Sequence, residues 1–465
     1  MMKKFGLALA ITLAWQAQIC VAQSLQGQRI ALVALTSEGK LDFTFGNLGK
    51  VITVFPNSKP GAKVGATLDS QRRIVAATTV NTKVGIARYT QDGKLDSTFD
   101  GNGVKLTDFG TGHTVSGHAV AVDEYDRIWV AGLGEQLYSW DAPNERRWIL
   151  ARFLPDGSAD LSFGSKGDGV IRGFDKMPHE PDALVMSLHD GAIMPLPVPT
   201  NDGSSPVDFR YIRFAPDGKF FAYSHTINEA WEEAYKNHIV VSNYVYSSPA
   251  AAAVTYTGKV YLGGAESFTG KMYWVAGKWD VKSGDKLDPT FNMFGSGGKI
   301  TGSYNGLNID DRVWAMKMDP YDRVVIAGST KSGSEYRFGL ARINSVGTMD
   351  ITFGNNGSVV TDFGVEAKAF GVTTDSDRIL AGGYAIGNGK PERGFAIAKY
   401  LPNGSLDNSF GNGGKVMIYA GCSGNSEVHA MLIQHNPILP FGGISLPTTS
   451  RVIAVGMAEH DACTY

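Results

Sequence analysis

Short segments of alternating apolar and polar residues recur along nearly the whole chain, bounded by glycine, aspartate or asparagine. The clearest examples each place two apolar runs on either side of an Asp-rich turn: HAVAVDEYDRIWVAG (118–132), AMKMDPYDRVVIAG (315–328) and FGVTTDSDRILAGG (370–383). Period-two alternation with β-branched residues is typical of strands, and helical periodicity is almost absent. The pattern therefore predicts an all-β protein built from hairpins.

A second hairpin follows each of these segments and repeats in register. Its best copies are ARYTQDGKLDSTFDGNGVKLTDFG (87–110), ARFLPDGSADLSFGSKGDGVIRGF (151–174), ARINSVGTMDITFGNNGSVVTDFG (341–364) and AKYLPNGSLDNSFGNGGKVMIYAG (398–421). Diverged copies lie at 32–55 and 276–300, and a degenerate copy at 212–226 has Phe221 where the others have an acid. Omitting the degenerate copy would double one interval, so we count seven units.

Two hairpins per unit give four short strands, and four-stranded units repeated radially form a β-propeller. The first and last segments are each part of a unit, and together they complete one period. The expectation is a seven-bladed β-propeller of four-stranded antiparallel blades, the last blade closed by both termini. We expect one domain over residues 23–465, with insertions at about 223–247 and 434–449.

The repeated motifs LDFTFGNLGKV and DEYDRIWVAG resemble those of the delta-60 repeat family of exported bacterial proteins. The resemblance covers nearly the whole chain after residue 22, and residues 175–250 depart from it strongly. It implies a β-propeller and an exported protein. It implies no agreed activity, so no catalytic residue is carried over from the family.

The composition excludes several classes of protein. With 43% hydrophobic residues and 43 basic against 45 acidic side chains in 465 residues, the chain can bury a core. A net charge of -2 does not favour binding to nucleic acid through charge alone. The 57 glycines lack a Gly-X-Y period and indicate many tight turns.

The N-terminal residues have the pattern of a signal peptide. Lys3 and Lys4 precede an apolar run, and small residues suit cleavage after Ala22. We expect a secreted or periplasmic protein without a membrane span, because no later apolar stretch reaches the length required. Cleavage leaves Cys422 and Cys463, which we expect to form a disulfide in an oxidising compartment, with two free thiols as the alternative.

The repeated charges and turns suit a scaffold better than a site. A cation lies eight residues before the repeated acid, at Arg88, Arg152, Arg213, Arg342 and Lys399, which predicts a cross-strand ion pair. Asp-Gly dipeptides supply the positive φ angles of hairpin turns. No motif announces a metal or cofactor, and the acids around Asp100 are too sparse for a calcium site. A structural ion in the channel remains open.

In a quasi-symmetric ring, residues that break the symmetry are the best candidates for function. Unusual residues concentrate in the loops of one face, where propellers carry binding groups. The candidate ligand-binding residues are His113, His118, Tyr138, Trp140, Arg146, His179, His225, Trp231 and His238. His118 and His429 occupy equivalent positions near the start of two inner strands.

Two functions fit this sequence. The first is binding of an extracellular polysaccharide or protein through the loop face, with Trp140 and Trp231 as stacking anchors. The alternative is a polysaccharide lyase, in which a His or Tyr removes the proton next to a uronate carboxylate and an Arg neutralises that carboxylate. The catalytic candidates for this alternative are His118, His225, Tyr211 and Arg210.

Overall fold

The structure is a computed structural model that describes residues 27–459 except for 57, 59–60, 138–144, 177–180, 182, 188–190, 199–207, 215–248, 256–258, 269–270, 281–285, 294–297, 307–309, 388, 422–423 and 436–449. The predicted signal peptide, both cysteines of the predicted disulfide and the insertion at 223–247 lie outside these residues. No helix in this part of the chain is long and apolar enough to cross a membrane.

The described strands are all antiparallel within their sheets. The first part of the chain contains β1 (Gly27–Leu35), β2 (Lys50–Pro56), β3 (Val64–Leu68), β4 (Ile74–Val80), β5 (Lys83–Tyr89), β6 (Val104–Thr107), β7 (Val115–Val122), β8 (Ile128–Glu135), β9 (Arg146–Phe153) and β10 (Val170–Lys176). The middle contains β11 (Val185–Ser187), β12 (Gly191–Val198), β13 (Asp208–Phe214), β14 (Pro249–Val254), β15 (Lys259–Phe268), β16 (Lys271–Asp280), β17 (Lys286–Leu287) and β18 (Lys299–Gly302). The last part contains β19 (Arg312–Met318), β20 (Val324–Ser332), β21 (Glu335–Ile343), β22 (Ser358–Thr361), β23 (Glu366–Asp375), β24 (Arg378–Ile386), β25 (Arg393–Tyr400), β26 (Lys415–Ile418), β27 (Ser426–His435) and β28 (Ser450–Ala458).

Six sheets have the form of a propeller blade. Four of them use consecutive strands, in the orders β3-β4-β5-β6, β7-β8-β9-β10, β19-β20-β21-β22 and β23-β24-β25-β26. A fifth has the order β14-β15-β16-β17, with β18 also paired with β16. A sixth has the order β2-β1-β28-β27. The remaining sheet, β11-β12-β13, has three described strands.

The prediction of seven four-stranded blades is therefore wrong. The described residues form six blades, and the sheet with strands from both ends of the chain is one of the six rather than a seventh closing blade. The physical reason lies in residues 175–250, where the repeat has Phe221 in place of its acid. The three-stranded sheet occupies part of this segment, and a strand pattern without the repeated ion pair does not define a complete blade.

Apolar cores fill the spaces between neighbouring sheets. The Trp129 and Trp148 side chains, for example, pack with Met194 and Phe214 between the β7–β10 sheet and the three-stranded sheet. A second core joins Phe338 and Phe353 to residues of the β23–β26 sheet. Each sheet thus buries both faces, which explains the near-continuous burial of second strands such as β4 and β20.

The predicted ion pairs are confirmed where the side chains are described. Nε of Arg88, Arg152 and Arg342 lies 2.8, 2.7 and 2.8 Å from the repeated acid's Oδ2 in Asp96, Asp160 and Asp350. The Lys399 amine lies farther from Asp407, at 3.7 Å. All four cations are almost fully buried, so the pairs belong to the interior of the fold.

Two of these cations, for example, also connect a blade to the next one. Arg342 Nη1 donates to the Pro402 carbonyl at 2.7 Å, and Lys399 Nζ donates to the Ser37 carbonyl at 3.0 Å. At the same junction as the bond from Arg342 to Pro402, the Gly354 N–H donates to the Asn403 carbonyl at 2.7 Å. A Cβ on Gly404, whose φ is +83°, would lie 3.0 Å from the Phe353 ring and 2.7 Å from the Gly354 nitrogen. The repeated cation, glycine and phenylalanine therefore hold neighbouring blades together.

Candidate functional site

A cavity of about 600 Å³ lies where the inner edges of the sheets meet. Its walls come from β3, β7, β14, β19, β23 and β27, together with Ala183 and Leu184 just before β11. The lining is mainly small and apolar, but it includes a set of charged and aromatic side chains: Lys63, His118, Arg312, Trp314, Lys317, Lys368, Phe370, Tyr384, Arg393, Glu427 and His429. A central cavity with a few convergent polar groups is the expected place for a ligand.

Several of these residues lie at β-bulges in the inner strands, by which we mean the strand of each sheet that lines the cavity. The pairing register shifts at His118 in β7, Trp314 in β19, Phe370 in β23 and His429 in β27. A β-bulge adds one unpaired residue and re-aims its side chain. All four bulged residues line the cavity, so these four strands share one bulge position, which holds histidine twice, tryptophan once and phenylalanine once.

Most of the functional groups lie at one end of the cavity, where the inner strands begin. We call Arg312, Trp314, Lys368, Phe370, Tyr384, Arg393, Glu427 and His429 the mouth cluster. They come from the first residues of β19, β23, β25 and β27 and from the end of β24. This is the face on which connections between units and between second and third strands lie.

A chain of polar contacts runs from β19 to β23 at this mouth. Asp310 accepts a hydrogen bond from Arg312 Nε at 2.9 Å and another from the Tyr336 hydroxyl at 2.5 Å. The hydrogen bond to Asp310, followed by burial, raises the pKa of Tyr336 to about 12. Lys368 Nζ lies 3.9 Å from the centre of the Tyr336 ring, which forms a cation–π contact.

The contacts continue from β23 to β25. The Tyr384 hydroxyl donates to Glu366 Oε1, and the Arg393 guanidinium lies 4.2 Å above the Tyr384 ring. Burial, and then the hydrogen bond to Glu366, raises the pKa of Tyr384. Burial also lowers the pKa of Lys368, and the charge of Glu366 opposes this shift only in part. Each tyrosine is thus a neutral hydrogen-bond donor to a carboxylate.

His429 links two blades and holds an acid. Its Nδ1 accepts a hydrogen bond from the Val64 N–H at 3.0 Å, so the neutral ring carries its proton on Nε2, which lies 3.0 Å from Glu427 Oε1. Arg393 Nη1 lies 3.4 Å from Glu427 Oε2. Burial tends to raise the pKa of Glu427, but the contacts with His429 and Arg393 outweigh burial, and the net pKa is lowered.

Aromatic rings form the other part of the mouth cluster. The Phe370 ring lies 5.6 Å from Trp314, 5.7 Å from Tyr384 and 6.0 Å from His429, measured between ring centres. Such distances are those of packed aromatic pairs. The mouth therefore combines an apolar platform with charged groups around it.

The charges that face the cavity are mostly positive. Lys63, Arg312, Lys317, Lys368 and Arg393 line it, and Glu427 is the one described carboxylate among the lining residues. The acids Asp310 and Glu366, which neutralise Arg312 and Lys368, are not part of the lining. The cavity therefore presents cations to its contents while the balancing carboxylates lie behind them.

The structure brings few of the sequence-predicted residues to this site. His118 is buried and lines the cavity. His113 and Arg146 are exposed and are not among its lining residues. Arg210 and Tyr211 pair with Leu196 and Pro195 within β12 and β13, and the description there is limited to the backbone. The other candidates lie outside the described residues: Tyr138, Trp140, His179, His225, Trp231 and His238.

Sequence reasoning missed seven of the eight residues of the mouth cluster. The equivalence of His118 and His429 was visible, and extending it by the unit length would have reached Trp314 and Phe370. The remaining charged residues carry no such signal. For metals, the described part of the chain brings no three His, Cys, Asp or Glu side chains together as ligands.

Four segments match the model of the family described as "Domain of unknown function (DUF5122) beta-propeller", at residues 73–99, 138–163, 322–353 and 376–410. Three of these segments cover the second and third strands of a blade and the turn that follows, and the segment 138–163 covers the third strand, β9, and its turn. The match supports a β-propeller repeat protein, in agreement with the six blades. No curated protein matches the chain.

Several solved structures are similar over most of the chain. The polysaccharide lyase Uly1 is 11% identical, with 93% of this chain and 100% of that chain covered and a TM-score of 0.40. Sqt1 of Chaetomium thermophilum, bound to the N-terminus of a ribosomal protein, is 10% identical over 83% and 80% of the two chains, also with a TM-score of 0.40. The extracellular domains of Drosophila Semaphorin 1b are 7% identical over 93% and 88%, with a TM-score of 0.38. Similarities this weak say nothing about what the chain binds.

Proposed function

We propose that this protein is an exported β-propeller, similar to the delta-60 repeat proteins, that binds an acidic polysaccharide at the mouth of its central cavity. The observation that carries the proposal is the pairing of cations with aromatic rings in the mouth cluster. Arginine and lysine side chains pair with carboxylates, and aromatic rings pack against the apolar faces of sugars. A uronate-bearing glycan offers both features in one ligand.

The position of the acids supports a negatively charged ligand. Asp310 and Glu366 hold Arg312 and Lys368 from behind, which orients these cations toward the cavity. Arg312 remains 45% exposed, so its guanidinium can pair with a ligand without breaking the contact with Asp310. A neutral or basic ligand would form no charged pair with these cations.

The mouth cluster favours binding over catalysis. Both ring nitrogens of His429 are engaged, one by the Val64 N–H and one by Glu427. The hydroxyls of Tyr336 and Tyr384 each donate to a carboxylate, and their raised pKa values disfavour the phenolate. None of these three groups is prepared to act as a general base at neutral pH.

A binding experiment with a charge control tests the proposal. Titration calorimetry with polygalacturonate, and with the same polymer fully methyl-esterified, should show binding of the charged polymer alone. Arg312→Met should weaken this binding about tenfold, which corresponds to the loss of one charged pair. Lys40→Met is the matched control, because Lys40 is 77% exposed and is not a lining residue.

Equal binding of the charged and esterified polymers would refute an acidic ligand. Equal binding by the protein and its Arg312→Met variant would exclude the mouth. Shortening of the polymer with a new unsaturated product would show a lyase and overturn a purely binding function. Increased salt should weaken binding, since the contacts at the mouth are partly exposed to solvent.

A further inference from the structure

Lys317 lies at the other end of the same cavity and has no described partner. It lines the cavity, and its side chain is exposed to that space. The described residues provide no hydrogen bond, ion pair or aromatic contact to its amine. By contrast, Arg312, Lys368 and Arg393 of the mouth cluster each contact a carboxylate.

The position of Lys317 breaks the symmetry of the inner strands. It is the third residue after the bulge of β19, and the residues at the same position in β7, β23 and β27 are Ala121, Thr373 and Leu432. None of these three is charged. Among these four inner strands, a lysine at this position occurs only in β19, so it is not a part of the repeated scaffold.

An unpaired cation that faces a cavity is available to an anionic ligand. Met316 and Leu432, which also line the cavity, are apolar, and desolvation lowers the pKa of the Lys317 amine. An opposite charge would offset this partial loss of hydration. An anionic group of a bound ligand would supply that opposite charge and stabilise the charged amine.

We infer that Lys317 forms a second anion subsite, so that the ligand is the end of an acidic chain that enters the cavity along its axis. This inference depends on the proposed function, because the first anionic group binds at the mouth. Arg312 and Lys317 are five positions apart in β19, which corresponds to about 16 Å along an extended strand. The two subsites therefore select an oligomer that carries more than one anionic group.

Oligomers of different lengths test the second subsite. Galacturonate monomer should reach only one subsite, and the trimer should reach both. We expect Lys317→Met to weaken trimer binding at least tenfold and to leave monomer binding unchanged. Arg312→Met should weaken both, and the Lys40→Met control should weaken neither.

A second measurement does not depend on the variant. Acylation of lysines by a succinimidyl ester, followed by mass spectrometry, should modify Lys317 readily in the free protein, because its lowered pKa favours the neutral nucleophilic amine. The trimer should protect Lys317 from modification, whereas the monomer should not. This readout applies even if Lys317→Met fails to fold.

The outcomes separate the two proposals. Trimer binding that is unchanged by Lys317→Met, with no protection of Lys317, would overturn the second subsite and leave the mouth intact. Failure of the unaltered protein to bind either oligomer or the polymer would overturn the proposed function itself. Monomer and trimer binding that both weaken in Lys317→Met would place Lys317 in the first subsite and refute the two-subsite arrangement.

Discussion

Arg342 is the clearest test of how the blades are held together. Its side chain is 1% exposed and lies within contact distance of Asp350, the Pro402 carbonyl and the Thr352 hydroxyl, at 2.8, 2.7 and 3.3 Å. The guanidinium also lies 4.7 Å from the centre of the Phe353 ring. Arg342→Met keeps most of the packing and removes every polar contact.

The expected loss of stability is about 3 kcal/mol. Removal of one partner of a buried ion pair typically costs 3–5 kcal/mol, because the other charge stays buried. We expect the lower end of this range, since Asp350 keeps Arg323 at 3.3 Å and two hydrogen bonds from Thr352. The burial of Asp350 tends to raise its pKa, and these contacts together with Arg342 lower it overall.

Another blade already has a lysine at the position of Arg342, which indicates what Arg342→Lys would do. Lys399 occupies the equivalent position in the next blade and reaches both the following blade and its own acid, at 3.0 and 3.7 Å. Arg342→Lys should therefore keep the contact between blades and lose only the close, directed pair. We expect it to cost about 1 kcal/mol, the contribution of a typical hydrogen bond.

Urea unfolding followed by tryptophan fluorescence and circular dichroism would measure these losses. Because a repeat protein can unfold in several steps, hydrogen exchange at the Gly354 amide provides a local probe of the same junction. That amide donates to Asn403 across the two blades and should exchange faster in Arg342→Met. Lys94→Met is the surface control, since Lys94 is 78% exposed in its pair with Asp92, and no change is expected.

Two results would refute this reasoning. Arg342→Met as stable as the unaltered protein would mean that the buried pair is neutral, as it is in some proteins. Arg342→Lys less stable than Arg342→Met would mean that the packing of the side chain matters more than its charge. The double variant Arg342→Met with Asp350→Asn separates these cases by giving the coupling energy of the pair.

Three further predictions concern other parts of the fold. In urea unfolding, Gly404→Ala should destabilise the protein by about 1 kcal/mol more than Gly413→Ala. Both glycines have positive φ, but a Cβ on Gly404 would approach Phe353, whereas a Cβ on Gly413 would meet nothing within 4 Å. Equal losses in the two variants would contradict the packing argument. Asp311 is fully buried, its Oδ1 has no hydrogen-bond partner among the described residues, and burial raises its pKa. The ionised form therefore destabilises the fold, and the stability of the protein should rise as pH falls through the raised pKa. Asp311→Asn should remove this pH dependence and raise the stability at neutral pH by about 1 kcal/mol, whereas a loss of stability would show that the charge is needed. Glu427 has a lowered pKa, so its contribution to the stability of the fold is present above the usual pKa of a glutamate and is lost as pH falls through the lowered value. In thermal unfolding at neutral pH, Glu427→Gln should be about 1 kcal/mol less stable than the unaltered protein. A difference that persists in strong acid would argue against the ion pair.

The repeat itself shows how far local patterns lead. The eight-residue spacing between Arg342 and Asp350 predicted a cross-strand pair, and the structure confirms it because both residues belong to one hairpin. The Asp-Gly turns likewise predicted positive φ, which Gly93 and Gly157 have. The same patterns miscounted the blades, since residues 175–250 keep the interval but have Phe221 in place of the acid that forms the ion pair.

The sequence by itself determined the strands, the hairpin turns, the buried ion pairs and the propeller architecture, because each depends on residues close together in the chain. Only the tertiary structure decided the site. The bulges that aim Trp314, Phe370 and His429 at the cavity arise from pairing between strands and leave no composition signal. The mouth cluster joins residues from separate blades, and Lys317 is distinctive only because its neighbours across the axis are uncharged, which is a property of the closed ring and not of any segment.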